Sequence, residues 1–258
     1  MLDKSRSKSV ALLAIGVLAG GAFAGGGLAI ADAKAPRTDR QITNMTNEVA
    51  NIKAYYGDTV DAQGEHWPSA DSNYAKQVAD IEKDAKRFLA DKARNTRGPK
   101  KAIVLDVDDT SLSTYNYELE TTFVYNPASN SQYIATKNMP AVFGMNDLAT
   151  WAQQQGYTVF FITGRPEAQR SDTARNLAAV GYPSADQEHL FLKNKANPPA
   201  YLACGSTCTT IEYKSGTRAH IESLGYRIVA DFGDQQSDLT GGHTERTYKI
   251  PNPMYYIP

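Results

Sequence analysis

Cysteine is nearly absent: the 258 residues hold two, Cys204 and Cys208. A structural zinc site needs more ligands than that, and none are evident beside the pair. The two fit an exported protein with one small disulfide loop. Histidine is scarce as well, with four residues scattered without metal-ligand spacing, and His66 and His243 read as surface or packing residues. An excess of one charge is also missing. Twenty-seven Lys and Arg face 28 Asp and Glu, for a net charge of −1, which gives no support to general nucleic-acid binding. No internal repeat, heptad array or long low-complexity tract occurs, so repeat architectures and coiled coils are excluded.

What is present begins with a leader. Lys4, Arg6 and Lys8 precede an almost wholly apolar or glycine stretch over 10–30, and Ala31, Ala33 and Ala35 offer small-residue exits. This is the pattern of a secretory signal peptide, assigned here to residues 1–33. The competing form is an uncleaved anchor, since roughly 20 apolar residues span a bilayer. No cysteine lies near the exit, which speaks against a lipoprotein anchor. The expected protein is secreted, extracellular or in the cell envelope, and free of the membrane after cleavage. The remaining chain, in a sequence that is 41% hydrophobic, suffices for one domain with appendages.

Helical spacing recurs at Ile42, Met45, Val49, Ile52 and Tyr56, with Gly57 as a stop, and again from Tyr74 through Val78, Ile81 and Ala85 to Leu89. These two helices form an expected annex over 34–97, separated by a loop over 58–68. The domain proper, 98–258, opens on an apolar run over 102–105, read as a buried parallel strand. Residues 111–140 show no clean periodicity and carry Tyr115, Tyr117, Phe123, Tyr125 and Tyr133. They read as an irregular lid-like loop whose aromatics either line a site or pack against the domain. Helices are expected over 141–155, from Pro166 to 180, and over 215–224, with an irregular segment over 193–213. Strands are expected over 157–162, 189–192, 227–230 and 247–250. Such alternation predicts an α/β fold, a doubly wound parallel sheet.

In such sheets ligands sit beyond the carboxyl ends of the strands, and the polar clusters fall there. The first strand ends in Asp106-Val-Asp108-Asp109-Thr110, the second in Thr163-Gly164-Arg165, and the fourth runs into Asp234 and Asp238. Alone, the first is either an acidic turn or a site whose repulsion a hard cation relieves. One chemistry uses all the clusters: phosphoryl transfer through an aspartyl-phosphate. Asp106 would be the nucleophile and Asp108 the general acid and base. Thr163, Gly164 and Lys214 would supply donors and positive charge to the phosphoryl oxygens, with Lys193 competing for the role of Lys214. Mg²⁺ would join Asp106, Asp234 and the Asp108 backbone carbonyl, with Asp238 a further ligand or a support. Arg165 and Arg170 would either bind a second anionic group or pair with Glu167 or Asp172. Asp109 reads as structural.

These motifs resemble the haloacid dehalogenase-like phosphatases: D-x-D-x-T at 106–110, the Thr of F-I-T-G-R, the Lys of Y-K-S and G-D-x-x-x-D at 233–238. The segments I-T-G-R-P-E, G-Y-R-I-V, G-D-Q-Q-S-D-L-T-G and P-N-P-M-Y-Y-I-P are similar to the acid phosphatase subfamily that includes plant vegetative storage proteins and secreted bacterial relatives. The resemblance implies a Rossmann-like core, Mg²⁺ dependence and hydrolysis of a small phosphomonoester, best at acidic pH. The insertion carrying Cys204 and Cys208 is outside the motif pattern. The alternatives are a non-catalytic storage or binding protein on the same scaffold, or a phosphotransferase. No nucleic-acid partner is indicated, and oligomeric state is not readable.

Overall fold

The computed structural model describes residues 36, 38–95, 97–183 and 185–258; the expected leader over 1–33 lies outside them. Two compact units are present, Met1–Thr43 and Asn44–Pro258. The described part of the first holds a 3₁₀ turn at Asp39–Gln41. Ile42, expected to share the first helical stripe, precedes the helix and is exposed.

In the second unit, helix α1 (Met45–Tyr56) starts at Asn44, whose side chain accepts from the Asn47 backbone N–H. It stops at Gly57, which takes a left-handed φ of 61° that a side chain would strain. The stretch expected as a plain loop forms a small antiparallel hairpin, β1 (Thr59–Val60) and β2 (His66–Trp67). Asp61 closes it by accepting from the backbone of Gln63 and Glu65 and from the Trp67 indole. Helix α2 (Asn73–Ala93) is capped by Ser72 and buries Tyr74, Val78, Ala85 and Leu89 on one face.

The sheet has five parallel strands in the order β5-β4-β3-β6-β7: β3 (Lys100–Leu105), β4 (Thr158–Pro166), β5 (Leu190–Lys193), β6 (Tyr226–Gly233) and β7 (Arg246–Lys249). Strand alternation sorts the core onto two faces. Ile103, Leu105, Val159 and Phe161 belong to one apolar cluster, while Ala102, Val104, Phe160 and Ile162 belong to another. Helices cover both faces, so the central strand is apolar throughout its buried length. Burying each such large side chain contributes about 1.5–3 kcal/mol.

Further elements differ from the sequence expectation. Residues 111–140 contain two helices, α3 (Tyr115–Glu120) and α4 (Pro127–Thr136). Both are short, and α4 has Asn126 as a cap and Pro127 in its first turn, signals that outweigh weak periodicity. Pro166 ends β4 instead of opening a helix; a 3₁₀ turn, Glu167–Gln169, comes first, and α6 (Arg170–Ala179) follows. Helix α7 (Thr210–Ser223) begins five residues before the expected start at 215, because Thr209 and Glu212 form a reciprocal capping box. Between these lies α5 (Met145–Gln154), and α8 (Gln236–Leu239) follows β6. No helix of the described residues is long and apolar enough to cross a membrane.

Candidate active site

The chain reverses strand order about β3, with β4 on one side and β6 on the other, and the crevice beyond their carboxyl ends is where such sheets bind ligands. A cavity of about 430 Å³ lies there. Asp106, Asp108, Gly164, Arg165, Lys214, Asp234 and Asp238 all line it.

The floor residues come from the ends of β3 and β6 and from α7 and α8. Asp106 continues β3, its N–H donating to the Phe232 carbonyl of β6 at 2.9 Å and its carbonyl accepting from Ser111 Oγ at 2.6 Å. Lys214, in the first turns of α7, places its ammonium between Asp106 and Asp238, donating to Asp238 Oδ1 at 2.6 Å and also to Asp106 Oδ1. Asp238 reaches back to accept from the Gln235 N–H at 2.8 Å. A Cβ on Gly233 would lie 2.4 Å from the Asp238 Cβ, so only glycine lets Asp238 pack against the strand end. Asp234 accepts from Gln235 Nε2 and from Asn252 Nδ2, each at 2.7 Å, and from Thr110 Oγ1 at 3.3 Å.

One ammonium faces more carboxylates than it can balance. Carboxylate oxygens of Asp106, Asp234 and Asp238 lie within 4.8 Å of one another, all buried. Burial and the mutual repulsion of the carboxylates push Asp106 well up despite Lys214, and burial with Asp238 and Asp109 pushes Asp234 up to about 7. Burial would lower the Lys214 ammonium, but Asp106 and Asp238 outweigh it and hold lysine above its ordinary value. An all-oxygen, acid-rich donor set of this kind fits a hard divalent cation.

The two later aspartates of the run, Asp108 and Asp109, diverge in role. Asp108 turns toward β4, where Arg165 grips it through Nε at 3.0 Å and Nη2 at 2.6 Å. Arg165 is itself fixed by Thr173 Oγ1 at 3.0 Å. Asp109 takes a left-handed φ of 52°, which aspartate tolerates better than most residues. Its carboxylate accepts from the Thr114 N–H at 2.9 Å, the Thr114 hydroxyl and the Tyr255 hydroxyl at 2.8 Å, so it serves the turn. Thr163 is fully buried three residues before the end of β4, and its Oγ1 accepts from the Arg165 N–H at 3.1 Å. A Cβ on Gly164 would meet nothing within 4 Å, which leaves its backbone open toward the cavity.

The alternatives left open by the sequence separate residue by residue. Lys193 lines the cavity, but its ammonium donates to the Cys208 carbonyl at 2.9 Å, so Lys214 alone of the two reaches Asp106. Arg170 pairs with Glu167 at 2.5 Å. Cys204 and Cys208 form a disulfide. Tyr115, Tyr117 and Tyr133 pack in the core, Tyr115 stacking on Tyr56 with ring centroids 4.5 Å apart, whereas Phe123 and Tyr125 line the cavity.

Sequence reasoning missed several contributors. Asn252 and Tyr255 come from the C-terminal residues, and Arg218, fully buried, lies 2.9 Å from Asp231 and donates to the carbonyls of Asp238 and Thr240. The segment P-N-P-M-Y-Y-I-P holds Asn252 and Tyr255 without indicating what they bind, and no motif marks Arg218. Glu118 and Gln169, both in the cavity wall, were also missed; their significance depends on which way a short helix and a 3₁₀ turn face.

A Rossmann-like α/β domain with an acidic, lysine-bridged crevice at its switch point defines the class. The chain belongs to the HAD superfamily, subfamily IIIB (acid phosphatase), whose family model matches residues 30–258. Among named relatives, Acid phosphatase 1 of Solanum lycopersicum is 35% identical over 60% of this chain and 58% of its own length. The Stem 28 kDa glycoprotein of Glycine max is 32% identical over 62% and 61%, and Vegetative storage protein 1 of Arabidopsis thaliana 31% over 60% and 55%. The matched stretch thus spans about three fifths of these relatives. The Class C acid phosphatase from Bacillus anthracis has the same fold, with a TM-score of 0.62, 21% identity and coverage of 82% of this chain and 86% of that one. A second structure of it, with tungstate bound, gives a TM-score of 0.53 at 24% identity, covering 69% and 80%.

Proposed function

We propose that this protein is a secreted, Mg²⁺-dependent acid phosphatase that hydrolyses small phosphomonoesters through an aspartyl-phosphate on Asp106. The observation that carries this reading is the buried cluster of Asp106, Asp234 and Asp238 around one lysine at the cavity floor. Burying such a cluster costs stability, and a fold that carries the cost marks the cluster as a functional site.

Asp106 Oδ attacks phosphorus, and the bond to the ester oxygen breaks as Asp108 passes a proton to the leaving alkoxide. A water then attacks the phosphoenzyme, Asp108 takes its proton, phosphate departs and the Asp106 carboxylate is restored. For the first proton transfer one Asp108 oxygen must leave the Arg165 fork, and a phosphoryl group entering beside Gly164 competes for that guanidinium. Lys214 balances charge on Asp106 and on the phosphoryl oxygens, while Asp238 holds Lys214 in place. Thr163, buried behind the cavity lining, fixes the Gly164–Arg165 backbone by accepting from the Arg165 N–H. Asp106, Asp234 and the Asp108 backbone carbonyl would hold Mg²⁺, with Asp238 in the same cluster. When bound, Mg²⁺ would neutralise the carboxylates and polarise the phosphoryl group.

The same reading takes residues 1–33 as a cleaved leader, 34–97 as an annex and 98–258 as the phosphatase core. Phosphotransfer to an acceptor alcohol would use the same phosphoenzyme. A storage role has less support, because binding alone does not require Asp106, Asp108, Lys214 and Asp234 together. The test is Asp106→Asn, expected to keep the fold by circular dichroism and to lose more than about 10³-fold in kcat on phenyl phosphate. Turnover within tenfold of the parent would remove Asp106 as the nucleophile.

A further inference from the structure

Two polar groups in the cavity wall have no partner and no part in the chemistry above. Glu118, on α3, is 6% exposed and lines the cavity. Among the described residues its carboxyl takes part in no hydrogen bond and no ion pair, although the neighbouring Glu120, exposed on the same helix, accepts from Asn116 at 2.9 Å. Gln169, in the 3₁₀ turn after β4, is 7% exposed, lines the same cavity, and its Oε1 accepts no hydrogen bond. A buried acceptor left without a partner is costly, and Gln169 Oε1 is one; together with the unpaired Glu118 carboxyl in the wall of the same cavity it points to a ligand that completes both.

Resting on the phosphomonoesterase reading above, we infer that Glu118 and Gln169 are specificity-determining residues that recognise a hydroxyl-bearing leaving group, so the preferred substrates are sugar or polyol phosphomonoesters. A hydroxyl is the group that serves both: it accepts from the Glu118 carboxyl and donates to Gln169 Oε1. Burial, then Asp109 and Asp108, push the Glu118 carboxyl up to about 8, which keeps it protonated and able to donate in acidic and neutral solution. Glu118 lines the same cavity as Asp108, the proton donor to the leaving oxygen. Phe123 and Tyr125 supply apolar surface beside it for the carbon skeleton.

The test compares butyl phosphate with dihydroxybutyl phosphate, which differ only in the hydroxyls. The native protein should prefer the dihydroxy ester by about tenfold in kcat/KM, the scale of one hydrogen-bonding hydroxyl. Glu118→Ala and Gln169→Ala should each reduce that ratio at least about fivefold. Glu118→Gln, which still donates, should restore most of it, and Glu120→Gln should leave it as in the parent. Equal losses on both esters, or a native ratio near one, would overturn the assignment. Calorimetric binding of both esters to Asp106→Asn gives the same ratios without turnover. A protein that binds the dihydroxy ester selectively but hydrolyses neither would sink the phosphatase reading and leave this one standing.

Discussion

The floor of the cavity and its rim are held in different ways. At the floor, Asp106, Lys214, Asp234 and Asp238 are 2–6% exposed and each is held by hydrogen bonds to neighbouring buried groups. At the rim, Tyr125 is 65% exposed and Tyr256 63% exposed, and both sit on connections that cross no strand. Groups that must keep sub-ångström relations are placed where the sheet fixes the backbone. Groups that meet the variable half of a ligand are placed where sequence can change without unfolding the domain. Arg165 stands between the two: it is buried like the floor, yet its partner Asp108 opens onto the cavity.

That contrast can be broken by experiment. The largest effect, after loss of the nucleophile, should come from Lys214→Met, which leaves Asp106, Asp234 and Asp238 without their cation. We expect kcat to fall about 10²–10³-fold and the chelated protein to lose about 3–5 kcal/mol. Added Mg²⁺ should recover more stability in this variant than in the parent. A chelated variant melting with the parent would show that the floor is not electrostatically braced.

Next comes Arg165→Lys, since an ammonium cannot grip both Asp108 oxygens and Thr173 as the guanidinium does. A kcat loss of about 10–100-fold is expected, measured on phenyl phosphate across pH. Full rescue by lysine would reduce Arg165 to a point charge. At the rim, Tyr256→Ala should raise KM roughly 3–10-fold, more than it lowers kcat. A purely kcat effect would erase the distinction between floor and rim.

The smallest effect is on stability alone. Glu118 has a folded pKa of about 8 against an ordinary 4.5. Its protonated form is favoured in the fold, so its contribution is complete below pH about 4.5 and is lost as pH rises through about 8. In the absence of metal, Tm should therefore fall over that interval, and Glu118→Gln should flatten the fall by several degrees, at roughly 2–4 °C per kcal/mol. An unchanged slope would mean that Glu118 is not buried as an acid.

Much of the site was legible in the chain. Apolar runs of four to six residues mark buried strands by composition alone, and polar residues that follow them fall toward strand ends; Asp106 and Asp234 reach the cavity in this way, whereas Thr163 lies buried within β4 and outside the cavity lining. Helix starts were less legible where the signal was local and small. The capping pair Thr209 and Glu212 starts α7 at Thr210, ahead of the apolar spacing that points to 215.

By itself the sequence determined the α/β alternation, the four motif clusters and their order, because strand period and turn chemistry are local properties. The tertiary structure decided which residues share the crevice. Lys214 was separated from Lys193, and Asp108 was joined to Arg165 across 57 residues. Asn252 and Tyr255 were brought to Asp234 and Asp109, and Glu118 and Gln169 were left facing the cavity without partners. These are relations between elements distant in the chain, set by parallel register and by which face each short helix buries, and no local pattern encodes them.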